Sequence, residues 1–226
     1  MKVLKVELYQ ETAVYRNPVT MEVVESFPLP PPSTVLGLVF SLLGRPEQLP
    51  KMNISIQGNY GGLFRDYQLY VKFGSDRPYP IVVYNLYDVN LTLHFSGDDQ
   101  TLDMLRRGFE DPPYYLYLGR AEDIVLVKKV RFCEVREEER EYDELSKGAY
   151  IPSELCDKLN LQGVLYRLPT LCRFVPISGG KVIRDFNWVD YRFVEAGSWL
   201  ESRQPLKLPV DDEGDYVWWC MPDPGR

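Results

Sequence analysis

Residues 15–44 read YRNPVTMEVVESFPLPPPSTVLGLVFSLLG, and the rest of the chain is organised around them. Phe27-Pro28-Leu29-Pro30-Pro31-Pro32 is extended, because each proline fixes its own φ and pushes the residue before it out of the helical region. Ser33 stands where a helix N-cap belongs, with Thr34 the competing choice. Val35, Leu38, Val39 and Leu42 follow at helical spacing, and Leu36, Phe40 and Leu43 line the other side. A helix apolar nearly all round is buried on more than one side. Gly37, Ser41 and Gly44 form a stripe of small residues that lets another backbone come close. The stretch is a stiff arm delivering a helix N-terminus to one place. Such an end carries unpaired N–H groups and partial positive charge, so it suits a phosphate or a carboxylate. The same pattern also describes a plain core helix started by prolines.

Upstream, residues 2–10 alternate, with Leu4, Val6 and Leu8 on one face and Lys5, Glu7 and Tyr9 on the other, the pattern of a half-buried strand. Downstream, 53–58 reads as a short strand. After Gly61-Gly62, LFRDYQLYVKF forms one arm of a hairpin, and Gly74-Ser75-Asp76 breaks it. Residues 81–84 are a further strand candidate. Residues 89–95 alternate, with His94 on the polar face. A second helix is predicted over 99–107, capped by Gly97-Asp98-Asp99 and stopped by Gly108. Residues 124–133 are again a strand. The order strand, helix, strand, hairpin, strand, helix, strand is that of an α+β, RRM-like or ferredoxin-like (βαββαβ) domain. Such a sheet carries both helices on one face and leaves the other open. The hairpin, about 61–85, is an insertion between core strands, and long insertions tend to carry function.

The run EVREEEREYDELSK at 134–147 reads as a solvated connector or helix face. It separates a first domain, 1–135, from a β-rich C-terminal part, 148–226. There 164–174, 181–194 and 216–220 read as strands of a small second sheet.

With 226 residues, 45% of them hydrophobic, the chain builds a real core and is not disordered. The net charge of −7 counts against a free-standing nucleic-acid binder, which is usually basic. It leaves room for a local basic groove, or for a subunit whose partners supply positive charge. Cys133, Cys156, Cys172 and Cys220 are all at least sixteen residues apart, so no zinc knuckle forms. Reduced thiols in a cytosolic protein are the simplest account. The N-terminus is a strand pattern, not a signal peptide. No apolar run approaches the ~20 residues that span a membrane.

His94 is the one histidine in the chain, placed mid-strand with no metal-ligand spacing around it. A hydrogen-bonded sheet histidine accounts for it better than a catalyst. Ser178-Gly179-Gly180-Lys181 lacks the first glycine and the Ser/Thr of a phosphate loop and reads as a tight turn. The pair Gly119-Arg120 can bring N–H groups and a guanidinium to a phosphate. Equally, it is a β-turn with Arg120 paired to Glu122 or Asp123. Lys128, Lys129 and Arg131 share one strand. Arg65, Lys72 and Arg77 belong to the hairpin, interleaved with Tyr67, Tyr70, Phe73, Tyr79 and Tyr84. Cations among aromatics suit single-stranded RNA. A hairpin packed on a neighbour looks the same. The aromatic motif of ordinary RRM domains is absent in its usual form.

Two stretches together carry a family resemblance: SFPLPPPSTVLGLVFSLLG with Tyr15-Arg16-Asn17-Pro18 before it, and YYLYLGRAEDIV at 114–125. Both resemble the repeat-associated (RAMP) proteins of the fifth CRISPR-associated family, and the proline-rich form is similar to members of subtype I-B. The resemblance implies a non-catalytic subunit that caps the 5′ handle of crRNA in a type I Cascade complex of antiviral defence. It implies contacts with the backbone and large subunits, with target DNA met only through the complex. It implies a cytoplasmic protein with no cofactor, metal or membrane contact. The hairpin would be a thumb at the junction of handle and spacer. Ser33, Thr34, Gly119 and Arg120 would meet handle phosphates, with Arg16, Arg65, Lys72 and Arg77 around the thumb. Lys128, Lys129 and Arg131 would contact handle or partner. One branch of the family cuts precursor crRNA with Tyr, Lys and His. Here His94 has no lysine beside it, which departs from that pattern. A metal-independent endoribonuclease using His94, and a protein-interaction module without RNA contact, are the competing readings.

Overall fold

The computed structural model describes residues 1–220 apart from 19, 21, 22, 72, 73, 75 and 76. The elements run β1 (Lys2–Ala13), β2 (Val23–Val24), α1 (Pro32–Leu42), β3 (Asn53–Asn59), β4 (Gly62–Tyr70), β5 (Tyr79–Ser96), α2 (Asp99–Glu110), β6 (Leu126–Glu144), β7 (Gly148–Pro152), α3 (Ser153–Lys158), β8 (Val164–Ile177), β9 (Lys181–Val194) and β10 (Trp199–Asp211). The fold is a sheet-rich α+β arrangement. One ten-stranded sheet has the order β10-β6-β1-β5-β3-β7-β9-β8, with β2 and β4 added to β5. Neighbours along that path are antiparallel, and β2 alone pairs in parallel.

Alternation in β1 sends Leu4, Val6 and Leu8 to the helix side of the sheet. There they join Ile54 and Ile56 of β3, Leu91, Leu93 and Phe95 of β5, Val35 and Val39 of α1, and Leu102 and Leu105 of α2 in one core. Both helices therefore cover the same face. The proline arm ends in the helix itself: Pro31 is the N-cap residue, with no side-chain cap, and Pro32 is the first helical residue. Proline's fixed φ and missing N–H suit that position, so Ser33 and Thr34 lie in the first turn and cap nothing. The Tyr150 hydroxyl of β7 donates to Leu29 O at 2.6 Å and accepts from Leu29 N at 3.3 Å, fixing the arm from the side.

Several boundaries differ from the sequence reading, each for a local reason. Residues 81–84 and 89–95 are one strand of 18 residues. Helix α2 runs through Gly108 to Glu110. A Cβ at Gly108 would lie 3.4 Å from the Leu42 side chain, so this glycine lets α1 and α2 approach rather than ending α2. The acidic run is neither connector nor helix. Strand β6 continues through it, pairing with β1 up to Glu134 and with β10 from Val135 to Glu144. Position 135 thus falls inside a strand, and the C-terminal strands join the same sheet. Residues 216–220 make isolated bridges, not a strand. Ser178–Lys181 is a tight hairpin turn, with Gly179 and Gly180 at φ 82° and 71°. Of the small stripe, Gly37 and Gly44 are exposed, with no atom close to an added Cβ, while Ser41 Oγ accepts from the Tyr114 hydroxyl at 2.5 Å.

The second face of the sheet is not open. Lys5, His94, Ser55, Gln57 and Thr92 point to it, and all are buried. They lie under a strap, residues 211–220, that leaves β10 and crosses the sheet. Gln57 Nε2 donates to Tyr216 O, Trp218 N donates to Ser55 Oγ, and Cys220 N donates to Ile54 O. The strap begins with Asp211-Asp212-Glu213-Gly214-Asp215. Lys5 Nζ donates to Asp211 at 2.6 Å, Glu213 at 2.7 Å and Asp215 at 2.6 Å. Burial alone would lower the Lys5 pKa; these three carboxylates outweigh it and raise the group above its ordinary value. Lys129 first and Lys5 next hold Glu213 down at about 2. Burial pushes Asp211 and Asp215 up, yet His94 and Lys5 hold Asp211, and Lys147 and Lys5 hold Asp215, below the ordinary range.

Removing one partner of a buried ion cluster leaves uncompensated charge, so Lys5→Met is expected to cost about 3–5 kcal/mol in urea unfolding. The pH dependence has a definite sign. The acids bind protons more readily in the unfolded chain, and so does His94, whose pKa burial lowers from 6.5. Stability is full above the unfolded values and is lost as pH falls from about 6.5 towards about 2. A melting temperature that stays flat over that range would contradict the ion cluster.

Candidate nucleic-acid interface

The Gly119–Arg120 turn is built by one buried carboxylate. Asp123 accepts from Val14 N at 3.0 Å and from Arg120 N at 2.8 Å. It also takes the Arg120 guanidinium, Nη2 at 2.7 Å from Oδ1. Arg120 Nη2 reaches Asn85 of β5 as well, and Nε lies 3.3 Å from Glu122. Of the two sequence alternatives, the internally paired turn is the one observed. Only Arg120 Nη1 is left without a partner. Burial would lower the Arg120 pKa, and Asp123 outweighs it and raises it. Gly119 sits at φ 111°, and an added Cβ would meet Val14 O and Asp123 Oδ2 at 2.8 Å. Gln10 Nε2 donates to Leu118 O and Asp123 O, and its Oε1 accepts from the Tyr15 hydroxyl. The turn, the start of the proline arm and the base of β5 thus form one connected patch.

The hairpin of β4 and β5 rises from that patch. Register places Phe64 opposite Asn85 and Arg65 opposite Tyr84. One face carries Val83 and Ile81, which pack with Val14 under β2. The other presents Arg65, Tyr67, Leu69 and Tyr84. Tyr67 is 78% exposed and Leu69 74%, so this face carries apolar surface with a cation at its base. Tyr70 and Tyr79 meet edge-on near the tip. Lys72 lies outside the described residues. Arg77 is exposed beyond the tip and Arg16 is exposed beside its bridge to Ser26.

The remaining candidates scatter. Ser33 and Thr34 are half-buried at the start of α1. Lys128 lies over the Tyr9 ring at 4.4 Å. Lys129 and Arg131 point to the strap side of the sheet and are taken by acids, Lys129 by Glu213 at 2.7 Å and Arg131 by Asp212 at 2.6 Å and Glu213 at 3.0 Å. Sequence reasoning missed Asp211–Asp215, Lys5 and Lys147. The one available signal was the run DDEGD itself, which looks like any solvated acidic loop.

His94 is fully buried, with Nε2 3.1 Å from Asp211 Oδ2 and Nδ1 without a partner. Asp211, Glu213 and Asp215 are close enough together to hold a cation, and the Lys5 ammonium already occupies their centre. The four cysteines are free thiols, and burial pushes Cys133 and Cys156 to about 11 and Cys220 to about 12. Among the described residues no helix is long and apolar enough to cross a membrane.

A family model described as "CRISPR-associated protein (Cas_Cas5)" matches residues 3–168. No curated protein matches the chain. Among solved structures the fold is similar to a chain titled "CRISPR RNA-guided surveillance complex", at 13% identity and TM-score 0.54, covering 92% of this chain and 91% of that one. It is similar as well to a CRISPR protein from Archaeoglobus fulgidus, at 15% identity and TM-score 0.54, covering 98% of this chain and 100% of the other.

Two glycine substitutions should have opposite signs. Gly119→Ala is expected to destabilise by about 1–3 kcal/mol, from backbone strain and the contact with Val14 O. Gly37→Ala, on the exposed side of α1, is expected to stabilise by about 0.5–1 kcal/mol through helix propensity. Chemical denaturation of the two variants measures both.

Proposed function

The chain belongs to the CRISPR-associated Cas5 family, and from that premise we propose that it is a non-catalytic RNA-binding subunit of a type I Cascade complex of the I-B kind. Residues 1–135 act as an RRM-like (ferredoxin-like) unit, in which β6-β1-β5-β3 are the core strands and α1 and α2 the crossovers. Residues 148–226 are the β-rich part, reached through the distal half of β6. The subunit caps the 5′ handle of crRNA in the cytoplasm, links the backbone and large subunits, and meets target DNA only through the complex.

The observation that carries this reading is the β4–β5 hairpin. It extends a core strand beyond the sheet and holds Arg65, Tyr67 and Leu69 of one face out to solvent, with Tyr84 half-buried beside Arg65. A cation with aromatic rings on a stiff arm is what stacking on single-stranded RNA requires. The hairpin is the thumb, with Arg77 towards its tip and Arg16 near its base, and Lys72 is the further proposed contact in the same segment of sequence. The Gly119–Arg120 turn lies beside that base and is the proposed wall along which the handle runs, with Ser33 and Thr34 at the start of α1 as separate proposed contacts. Arg120 serves mainly to shape the turn, because its guanidinium is already held by Asp123. The buried position of His94 favours the scaffold over the endoribonuclease.

The test is co-expression with crRNA and the backbone subunit. The chain is expected to co-purify with both, and its failure to join would overturn the reading. Tyr67→Ala is expected to weaken binding of handle RNA at least about fivefold, since one stacked base is worth about 1–3 kcal/mol. Handle-RNA affinity unchanged in a Tyr67→Ala, Arg65→Ala double variant would favour a protein-interaction module instead. Cleavage of repeat RNA in EDTA that is lost in His94→Ala would restore the enzyme.

A further inference from the structure

On the strap side of the sheet, Lys5, Lys147, Lys129 and Arg131 meet the four carboxylates of the strap, and Lys129 also lies 4.0 Å from Glu7 of β1. Lys5 and Lys147 pair with the inner acids, Asp211 and Asp215, and Lys5 also reaches Glu213. Lys129 and Arg131, adjacent on the same face of β6, pair with the outer acids, Asp212 and Glu213. The two halves differ physically. Lys5 and Asp211 are buried, and their pairing is structural. The outer pairs reach solvent: Lys129 is 46% exposed, Asp212 44% and Glu213 38%. Such surface pairs add little to stability. Asp212 therefore contributes mainly by occupying Arg131, while Glu213 both occupies Lys129 and Arg131 and completes the Lys5 cluster.

Asp212 and Glu213 set successive negative charges on one backbone against two cations held at fixed positions on a strand. A nucleic-acid strand does the same with its phosphates. We propose that Lys129 and Arg131 form a latent strip for single-stranded RNA, and that Asp212 and Glu213 mask it as a phosphate substitute in the same chain. A subunit that must hold RNA at one place gains from having its other cationic surface closed. The mask is separate from the hairpin and the Gly119 turn, so the proposal does not depend on where the handle binds.

The test uses the full-length Asp212→Asn, Glu213→Gln variant and a labelled oligouridine, with binding followed across a salt series. Unmasking two cations is expected to tighten binding at low salt at least about tenfold. It is also expected to steepen the slope of log K against log salt by about 1.4, from ~0.7 per phosphate on single strands. Adding Lys129→Ala and Arg131→Ala should return both to the parent values. Glu137→Gln, Glu139→Gln changes the net charge equally on exposed positions of β6 and should leave the slope unchanged. Equal gains in this control, or no gain in the first variant, would overturn the proposal. Glu213 also touches Lys5, so Asp212→Asn alone serves if the double variant does not fold. Its partners are Arg131 and the Glu134 N–H, and it should steepen the slope by about 0.7. An unchanged slope there counts equally against the mask.

Discussion

The ammonium of Lys5 lies in the middle of a β-sheet with 1% of its side chain exposed. A charge in that position is tolerated only when it is paired and fully hydrogen-bonded. All three of its carboxylates come from the far end of the chain, 206 to 210 residues away in sequence. The chain must therefore return across the sheet after β10, and in returning it lays Tyr216 to Cys220 over the second face. Val217 packs there with Val3, Cys133 and Val135, and Trp218 enters the C-terminal core. One lysine and its acids thus tie the first strand to the last and close a face that the strand pattern leaves to water.

A second set of contacts sets the opposite side of the molecule. Asp123 links the end of β1, the Gly119 turn and, through Arg120, the base of β5. Tyr15 and Gln10 link the same turn to the proline arm, and Tyr150 holds that arm at Leu29. All of these groups but Arg120 are buried, so each bond leaves little freedom to its partners. The hairpin grows out of this rigid base. On its outer face Tyr67 and Leu69 are largely exposed among the described residues, which is why they are read as surface for a partner molecule.

Charge is distributed along the same division. The net value of −7 hides a strap-side cluster in which cations and acids match, and a glutamate-rich distal half of β6 that alternates along a strand edge. A global balance of charge is therefore a poor guide to this chain, because the acids of the strap are committed to the cations beneath them.

Much was legible in the sequence. Period-two alternation in β1 and β5, the proline arm feeding an apolar helix, the Asp98 cap of α2 and the glycine turns all act over a few residues, and local sterics and periodicity are enough to set them. Two motifs of that local kind also carried the family. What lay beyond reach was long-range. The continuation of β6 through its acidic run depends on β10 lying alongside. The polar alternation of Lys5, Glu7, His94 and Ser55 looks the same whether it faces water or a polar strap. Periodicity reports which side of a strand avoids apolar contact. Only the tertiary structure decides which distant segment supplies the hydrogen bonds and counter-charges that such a side requires.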